Sequence, residues 1–469
     1  MFENLTPCRP DDQLLIKLGQ SMLAGPDFGE HPTLPAGYTY LGQLIAHDLS
    51  YDKNVDVPVT PLLDLSGLEQ QRTPALDLDS IYGGGPEKRS DLYDSLKIKF
   101  NIGTTLPVTG YGAKGGYQND LPRTEQAPFK AVIADIRNDE NLAIAQTQVA
   151  FMKFHNRVVD LLLSDFTSVG PDLFAAVQKK VIQHYQWIVL NDFLPKTIEE
   201  DILRDTIKQG CSYYKSATPA FIPIEFSLAA FRFGHSMLAE SYEWNRAHQS
   251  SIRNDYNQGA SLSDLFRFTM FSGTMTGAPN LPGEWIIDWT RFFDFTGING
   301  VANNPKFNNA RRIDTTLTPA LGSFSEALSH FISNPDFCSI PVVDLVRGSR
   351  YGLPSGQEIA RKALGVDPLS PREMIQGPGG QVVEFCNFSK ETPLMYYILK
   401  EAEVYHRGER LGPVGSRIVA ETIVGLLNQS PYSILQTKNW KPDLGQRERG
   451  LFEMVDLLAV ANVVNPLGS

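Results

Sequence analysis

Apolar residues recur at helical spacing over several long stretches of this sequence, and this periodicity constrains the fold more than any other feature. A stretch from about 140 to 163 carries the pattern, and a repeat at every fourth position continues it from Leu173 to Tyr185. Such spacing places the apolar side chains on one face of an α-helix. Similar patterns predict helices at Gly37–Leu49, 224–244, 393–404, 416–428 and 446–460. Strands are predicted to be few and short, so we expect a mainly α fold.

The chain is predicted to form one large helical domain, residues 37–469, preceded by an irregular arm, residues 1–36. In the arm, short apolar groups alternate with prolines and glycines, which interrupt regular structure. No internal repeat or abrupt change of composition divides the remainder. A content of 42% hydrophobic and 20% charged residues is typical of a globular protein with a core.

Charge and hydropathy argue against two classes of partner. The net charge of −11 makes nucleic acid an improbable partner, because binding it requires a Lys/Arg surface. No window approaches the roughly 18 uncharged apolar residues needed to cross a bilayer, so no membrane span is predicted. The N-terminus lacks the pattern of a cleavable export signal, and the four cysteines are scattered. We therefore expect a cytoplasmic protein, or one exported without a cleavable signal.

Three short blocks carry the residues with the clearest chemical potential. GQLIAHD, at 42–48, places Gln43 and His47 four residues apart, on one face of a predicted helix. ADIRNDE, at 134–140, contains Arg137, and AFRFGHSM, at 230–237, contains His235. A single histidine on a half-apolar helix is more often structural than catalytic, so no block identifies a site alone.

Taken in order, the blocks resemble the animal-type haem peroxidases of the peroxidase–cyclooxygenase superfamily. GQLIAHD is similar to the distal-helix motif, ADIRNDE to the segment with the distal arginine, and AFRFGHSM to the proximal helix that binds haem iron. VDLVRGSRYGLPS, at 343–355, and LGPVGSRIVAE, at 411–421, extend the resemblance over most of the chain. The resemblance implies a single helical haem peroxidase domain that reduces H₂O₂ through a ferryl intermediate.

On the distal side, the resemblance implies that His47, Arg137 and Gln43 are catalytic. A neutral imidazole can take a proton from one peroxide oxygen and return it to the other, which is the role expected of His47. A guanidinium keeps its proton, so Arg137 is suited to stabilise charge on the departing oxygen. Gln43 is expected to orient a water or a halide.

On the proximal side, the resemblance implies that His235 binds the iron and that Arg232 and Arg347 contact the haem propionates or the proximal network. His235 should donate its second ring N–H to an acceptor. Asp344 occupies that position, where many relatives have asparagine, and its carboxylate would push the imidazole toward imidazolate. We therefore predict a lower iron reduction potential than in relatives with asparagine.

The expected cofactors are haem b and Ca²⁺. Family members often form two haem esters, but Ala46 replaces the aspartate, so at most one ester is expected, through Glu140. Oxygen ligands suit Ca²⁺. The Ca²⁺ ligands implied by the resemblance are Asp48, Thr73, Ala75, Asp77 and Asp79.

The implied enzyme uses H₂O₂ and a small electron donor, and a response to oxidative stress would fit this chemistry. Phenols and aromatic amines are expected donors, with bromide, iodide or thiocyanate as further candidates; no protein partner is predicted. One alternative is a haem-dependent fatty-acid dioxygenase of the same superfamily, but Arg232 stands where its tyrosine would be. Another is a non-catalytic haem-binding protein, which would need neither His47 nor Arg137.

Overall fold

The computed structural model describes twelve stretches of the chain: residues 1–2, 4–23, 29–51, 70–108, 116–126, 129–166, 169–249, 259–269, 280–322, 339–445, 447 and 450–468. Within them the α-helices are α1 (Asp12–Ser21), α2 (Gly37–Leu49), α3 (Asp79–Tyr82), α4 (Leu142–Leu162), α5 (Pro171–Ile188), α6 (Leu194–Thr197), α7 (Glu200–Gln209), α8 (Ile224–Ser227), α9 (Leu262–Arg267), α10 (Ile340–Arg350), α11 (Gly356–Glu358), α12 (Pro371–Met374), α13 (Gly380–Phe385), α14 (Leu394–His406), α15 (Pro413–Gln429) and α16 (Met454–Val460).

Short strands contribute little to the architecture. Three two-stranded antiparallel sheets occur in the described stretches: β1 (Glu30–Pro35) with β6 (Asn309–Arg311), β2 (Gly103–Thr104) with β3 (Gln118–Asp120), and β4 (Ser241–Tyr242) with β5 (Ala260–Ser261). The predicted mainly α class is therefore confirmed. None of the helices in these stretches is long and apolar enough to span a membrane.

The core is built around α4, which packs against α2, α5 and α16. Its N-terminus is fixed by Asn141, whose side chain accepts a hydrogen bond from the backbone N–H of Ile144 at 3.0 Å. The predictions for α2, α4, α5, α14 and α15 are confirmed to within a few residues at each end. Long apolar periodicity identified these helices because each buries a broad face.

The N-terminal arm is more ordered than the sequence suggested. Residues 12–21 form α1, which Asp11 caps by accepting from the N–H of Gln13 at 2.8 Å, and α1 packs against α10. A Cβ on Gly19 would lie 2.9 Å from the Cα of Val342, so only glycine allows this approach. The prediction of an irregular arm is wrong for α1, since its ten residues carry too few turns for a clear pattern.

The prediction of one helix over residues 224–244 is also wrong. Helix α8 ends at Ser227, the backbone leaves helical angles at Ala229, and Ala230–His235 forms a 3₁₀ turn before β4. The side chain of Arg232 donates to the carbonyl of Ser227 at 2.9 Å, which stabilises this break. Among the described residues of the predicted helix at 446–460, only α16 is helical, and Glu453 and Asp456 form a capping box at its start; residues 446, 448 and 449 lie outside the described residues.

Candidate active site

His47 lies in the last turn of α2 with its imidazole orientation fixed. Its Nδ1 is 2.8 Å from Oδ1 of Asn138, whose Nδ2 donates to Gln148 at 2.7 Å and to the carbonyl of Ser80 at 3.4 Å. Because Asn138 uses its NH₂ for these two acceptors, it presents an oxygen to the ring, and Nδ1 must carry the proton. In the neutral ring, the lone pair of His47 is therefore on Nε2.

A cluster of polar side chains faces that nitrogen. Oε1 of Glu140 lies 3.4 Å from Nε2 of His47 and also accepts from Nε2 of Gln43. Nδ2 of Asn141 donates to the side-chain oxygen Oε1 of Gln43 at 3.2 Å. Gln43 and His47 therefore share one face of α2, as their spacing predicted, and the structure adds Glu140 and Asn141 to that face.

Arg137 is beside His47, but it binds the backbone and not the imidazole. Its guanidinium donates to the carbonyls of His47 at 2.9 Å and Ser50 at 2.7 Å, and to both oxygens of Asp135 at 2.7 and 3.0 Å. It also stacks 4.2 Å from the ring centroid of Tyr51. Burial would raise the pKa of Asp135, but the charge and hydrogen bonds of Arg137 outweigh it and lower this pKa. Asp135 therefore stays ionised and neutralises Arg137.

The proximal residues form a second cluster around Asp344 on α10. Oδ2 of Asp344 is 2.8 Å from Nδ1 of His235, and Oδ1 is 3.2 Å from Nη1 of Arg232. Burial would raise the pKa of Asp344, but Arg232, His235 and Arg347 together lower it below its usual value. The carboxylate is thus ionised and orients His235 through Nδ1, so Nε2 is the nitrogen left to bind a metal.

The proximal cluster fits a haem in both chemistry and exposure. The side chains of His235 and Arg232 are 27% and 33% exposed, whereas the Asp344 side chain behind them is only 3% exposed. An accessible imidazole with a buried carboxylate acceptor is a usual arrangement for an axial iron ligand. The 3₁₀ turn that carries His235 packs against α2, so the segments carrying the two histidines are neighbours.

The five residues predicted as Ca²⁺ ligands lie close together at the end of α2. Asp48 is fully buried and accepts from the N–H groups of Leu78 at 3.1 Å and Ser80 at 3.3 Å. Burial and neighbouring carboxylates raise the pKa of Asp48 well above its usual value and that of Asp77 to about 7.

The other three predicted ligands, Thr73, Ala75 and Asp79, have different surroundings. Thr73 contacts Asp77, Ala75 is buried, and Asp79 pairs with Arg72 at 3.1 Å. In the described part of the chain, no three His, Cys, Asp or Glu side chains are grouped as a metal site. A bound cation would still offset the buried charge of Asp48 and Asp77, so the oxygen donors present fit Ca²⁺.

A family model, animal haem peroxidase, matches residues 65–279, which include the segments of Arg137 and His235. This part of the chain, residues 65–279, is therefore similar to the animal haem peroxidase family. Curated relatives include the peroxidasin homolog pxn-2 and heme peroxidase 2 of Caenorhabditis elegans, which are 26% and 29% identical to this chain over 174 and 178 residues. Both alignments cover 35% of this chain, and they cover only 13% and 24% of those relatives. Thyroid peroxidase of Mus musculus is 27% identical over 189 residues, which are 38% of this chain and 20% of that protein.

Solved structures share the fold along nearly the whole chain. Peroxidase A from Dictyostelium discoideum matches with a TM-score of 0.62 and 16% identity, covering 93% of this chain and 86% of that one. A fatty acid alpha-dioxygenase of Arabidopsis thaliana matches with a TM-score of 0.60 and 13% identity, covering 99% and 75%. At such identities the likeness concerns the fold.

Sequence reasoning missed three residues of the candidate site: Asn138, Asp135 and Arg72. The first two lie in the ADIRNDE block, next to Arg137, so the motif itself was the available signal. Their roles depend on the 3₁₀ turn Ile136–Asp139, which directs neighbouring side chains to different partners. Arg72 pairs with Asp135 at 3.2 Å, and nothing in its local sequence indicates that contact.

Proposed function

We propose that this protein is a haem-dependent peroxidase that reduces H₂O₂ and oxidises small donors. The observation that carries the proposal is the matched arrangement of two histidines. In both His47 and His235, Nδ1 is held by a fixed oxygen at 2.8 Å, which reserves Nε2 for chemistry. One nitrogen is then available to a metal and the other to a substrate proton.

The distal residues would manage the proton of the peroxide. Nε2 of His47 accepts a proton from the nearer peroxide oxygen and returns it to the departing one, while Asn138 keeps the ring in one tautomer. Gln43 orients the peroxide or a water through its amide. Arg137 lies beside His47 with its charge paired to Asp135; its predicted direct contact with the departing oxygen stays a prediction.

The proximal residues would hold the cofactor. His235 binds the iron through Nε2, Asp344 orients the ring, and Arg232 and Arg347 provide positive charge for the propionates. When bound, haem supplies the iron at which peroxide is reduced, and it accepts the electrons that the donor gives up. Small phenols and aromatic amines are the proposed donors, with bromide, iodide or thiocyanate as alternatives.

The first experiment is an absorption spectrum of the purified protein before and after stoichiometric H₂O₂. We expect a Soret band that changes on addition of peroxide in the native protein. His235→Ala should lose the band, and His47→Ala should keep it but react roughly a hundredfold or more slowly. His406→Ala, which removes a histidine outside the site, is the control. A native protein without a Soret band after haem reconstitution would refute the proposal.

A fatty-acid dioxygenase is the second candidate, because such an enzyme shares the fold. In this chain Arg232 occupies the position of the tyrosine expected for that chemistry, and it is engaged by Asp344 and the carbonyl of Ser227. The arrangement therefore favours peroxidase chemistry. Oxygen uptake with linoleate, in the absence of peroxide, would reverse this preference.

We also propose a Ca²⁺ site formed by Asp48, Thr73, Ala75, Asp77 and Asp79. Metal analysis of the purified protein should find calcium, and Asp77→Asn should reduce it. The proposed single ester through Glu140 is tested by extracting haem with acidified solvent. Haem that stays with the native chain but leaves Glu140→Gln would establish the link.

A further inference from the structure

Four side chains of alternating charge form a row of ion pairs from the start of α3 to the end of α2: Asp79, Arg72, Asp135 and Arg137. Nη1 of Arg72 is 3.1 Å from Oδ2 of Asp79, and Nε of Arg72 is 3.2 Å from Oδ2 of Asp135. Asp135 in turn holds Arg137 through two oxygens. Asp135 is completely buried, and the Arg72 side chain is only 10% exposed. Two cations and two anions balance one another, which is required for charges with so little access to water.

Arg137, the last residue of this row, donates a hydrogen bond to a backbone carbonyl of α2 that has no partner within the helix. The final carbonyls of an α-helix have no N–H partner within the helix. Here the carbonyl of Ala46 accepts from the N–H of Ser50 at 3.0 Å, and the carbonyl of His47 accepts from Arg137 at 2.9 Å. A cation at this end also interacts favourably with the helix dipole. The guanidinium is thus bound to the backbone of the residue whose imidazole faces the distal cluster.

We propose that Arg72 and Asp135 are positioning residues of the distal site, which act by holding Arg137 as a clamp on the last turn of α2. The proposal rests on the proposed peroxidase function, because the residue held in place is His47. Asp135 fixes the plane of the guanidinium by two hydrogen bonds. Arg72 balances the second negative charge of the group and ties the clamp to Asp79.

The clamp predicts two separate effects of substitution. Asp135→Asn removes one acceptor and the charge, and Arg72→Met removes the balancing cation while preserving much of the side-chain volume. Both should loosen the last turn of α2, so peptides covering residues 44–51 should exchange amide hydrogen faster. Both should also slow the reaction with H₂O₂ by roughly ten- to a hundredfold, because a small displacement of a catalytic group has effects of that size. The reduction of the oxidised protein by a phenol should be unchanged.

The control is Arg291→Met, which removes a similarly buried arginine. Arg291 is 14% exposed and pairs with Asp288 at 3.3 Å, next to Phe292, whose carbonyl accepts from Gly37 at the end of α2 opposite His47. Arg72→Lys is the conservative variant and should recover part of the rate, since it restores the charge without the fork geometry.

The experiment combines hydrogen exchange with stopped-flow absorption on the haem-loaded native protein and these variants. Faster exchange at 44–51 together with a slower peroxide step in Arg72→Met, and neither effect in Arg291→Met, would support the clamp. Unchanged exchange, a peroxide rate within about twofold of native, or equal effects in the control would overturn it. Hydrogen exchange does not depend on peroxide chemistry. A native protein that fails to react with H₂O₂ would therefore refute the peroxidase function and leave the exchange data to decide the clamp.

Discussion

At the scale of single residues, Asp344 is the position that most distinguishes the proximal side. Its carboxylate is ionised and buried, and it is shared between His235 and Arg232. Negative charge on the acceptor makes the imidazole a stronger donor to iron, which favours the ferric state. Arg232 takes up part of that charge, so His235 is expected to be an imidazole with a strongly polarised N–H.

Asp344→Asn should therefore raise the iron reduction potential. A neutral amide keeps the hydrogen bond to His235 but removes the negative charge, and we expect a rise of roughly 60 mV, a tenfold change in the ferric–ferrous equilibrium. Spectroelectrochemical titration of the haem-loaded proteins measures the difference. Asp91→Asn, at an exposed carboxylate paired with Arg89, is the matched control and should leave the potential unchanged. Equal potentials for native and Asp344→Asn proteins would contradict this account.

At the scale of secondary structure, sequence periodicity predicted the long helices and failed at the short and irregular segments. Helices α4 and α5 each repeat their apolar pattern over several turns, so the prediction had many residues to rely on. The proximal segment is different, because Ala230–His235 is a 3₁₀ turn fixed by contacts from Arg232 to Ser227 and Asp344. Its apolar content resembles that of a helix, and the tertiary contacts that interrupt it are not visible in the sequence.

In the candidate site, too, the helical positions were predictable from the sequence and the tertiary contacts were not. The positions of Gln43 and His47 on one face follow from helical geometry and were predictable. The hydrogen bond from His47 to Asn138 joins residues 91 positions apart, and it depends on how α2 packs against the turn before α4. No local pattern specifies that contact. The family resemblance indicated the residue types, and the fold was needed to assign their partners.

His155 in α4 should make stability depend on pH in the acidic range. It is buried as a neutral ring that contacts Tyr82 at 3.0 Å and the carbonyl of Ile98 at 2.8 Å, and burial lowers its pKa to about 4 from 6.5. Between pH 6.5 and about 4, His155 is therefore protonated in the unfolded chain and neutral in the folded protein. The stability from neutral His155 is fully present above pH 6.5 and is lost as the pH falls toward 4, by about 1.4 kcal/mol per pH unit.

Comparison with His155→Gln isolates this effect, because glutamine can contact the same partners and does not titrate. Thermal unfolding midpoints of both proteins are measured at pH 7 and pH 5. The midpoint of the native protein should fall further than that of the variant over this interval. Parallel shifts would mean that the ring already accepts a proton in the folded state.

At the scale of the whole molecule, hydrogen bonds to Asp192 connect α16, near the end of the chain, to α2, which carries His47. The buried carboxylate of Asp192 accepts from the hydroxyl of Tyr38 on α2 at 2.7 Å and from the N–H of Met454 at the start of α16 at 2.8 Å. Lys196 pairs with the same carboxylate and with Glu453. One side chain therefore satisfies groups that are more than 400 residues apart in sequence.

Asp192→Asn should loosen both ends of this connection. The amide nitrogen cannot accept a hydrogen bond, so one buried donor loses its partner and Lys196 keeps only Glu453 as an ion-pair partner, at a cost of roughly 3 kcal/mol in the free energy of unfolding. The thermal midpoint should fall, and peptides covering residues 454–460 should exchange amide hydrogen faster. Asp160→Asn makes the same chemical change at an exposed pair with Lys99 and should cost no more than about 0.5 kcal/mol. If the two variants unfolded at the same temperature, Asp192 would not be what anchors the C-terminal helix to α2.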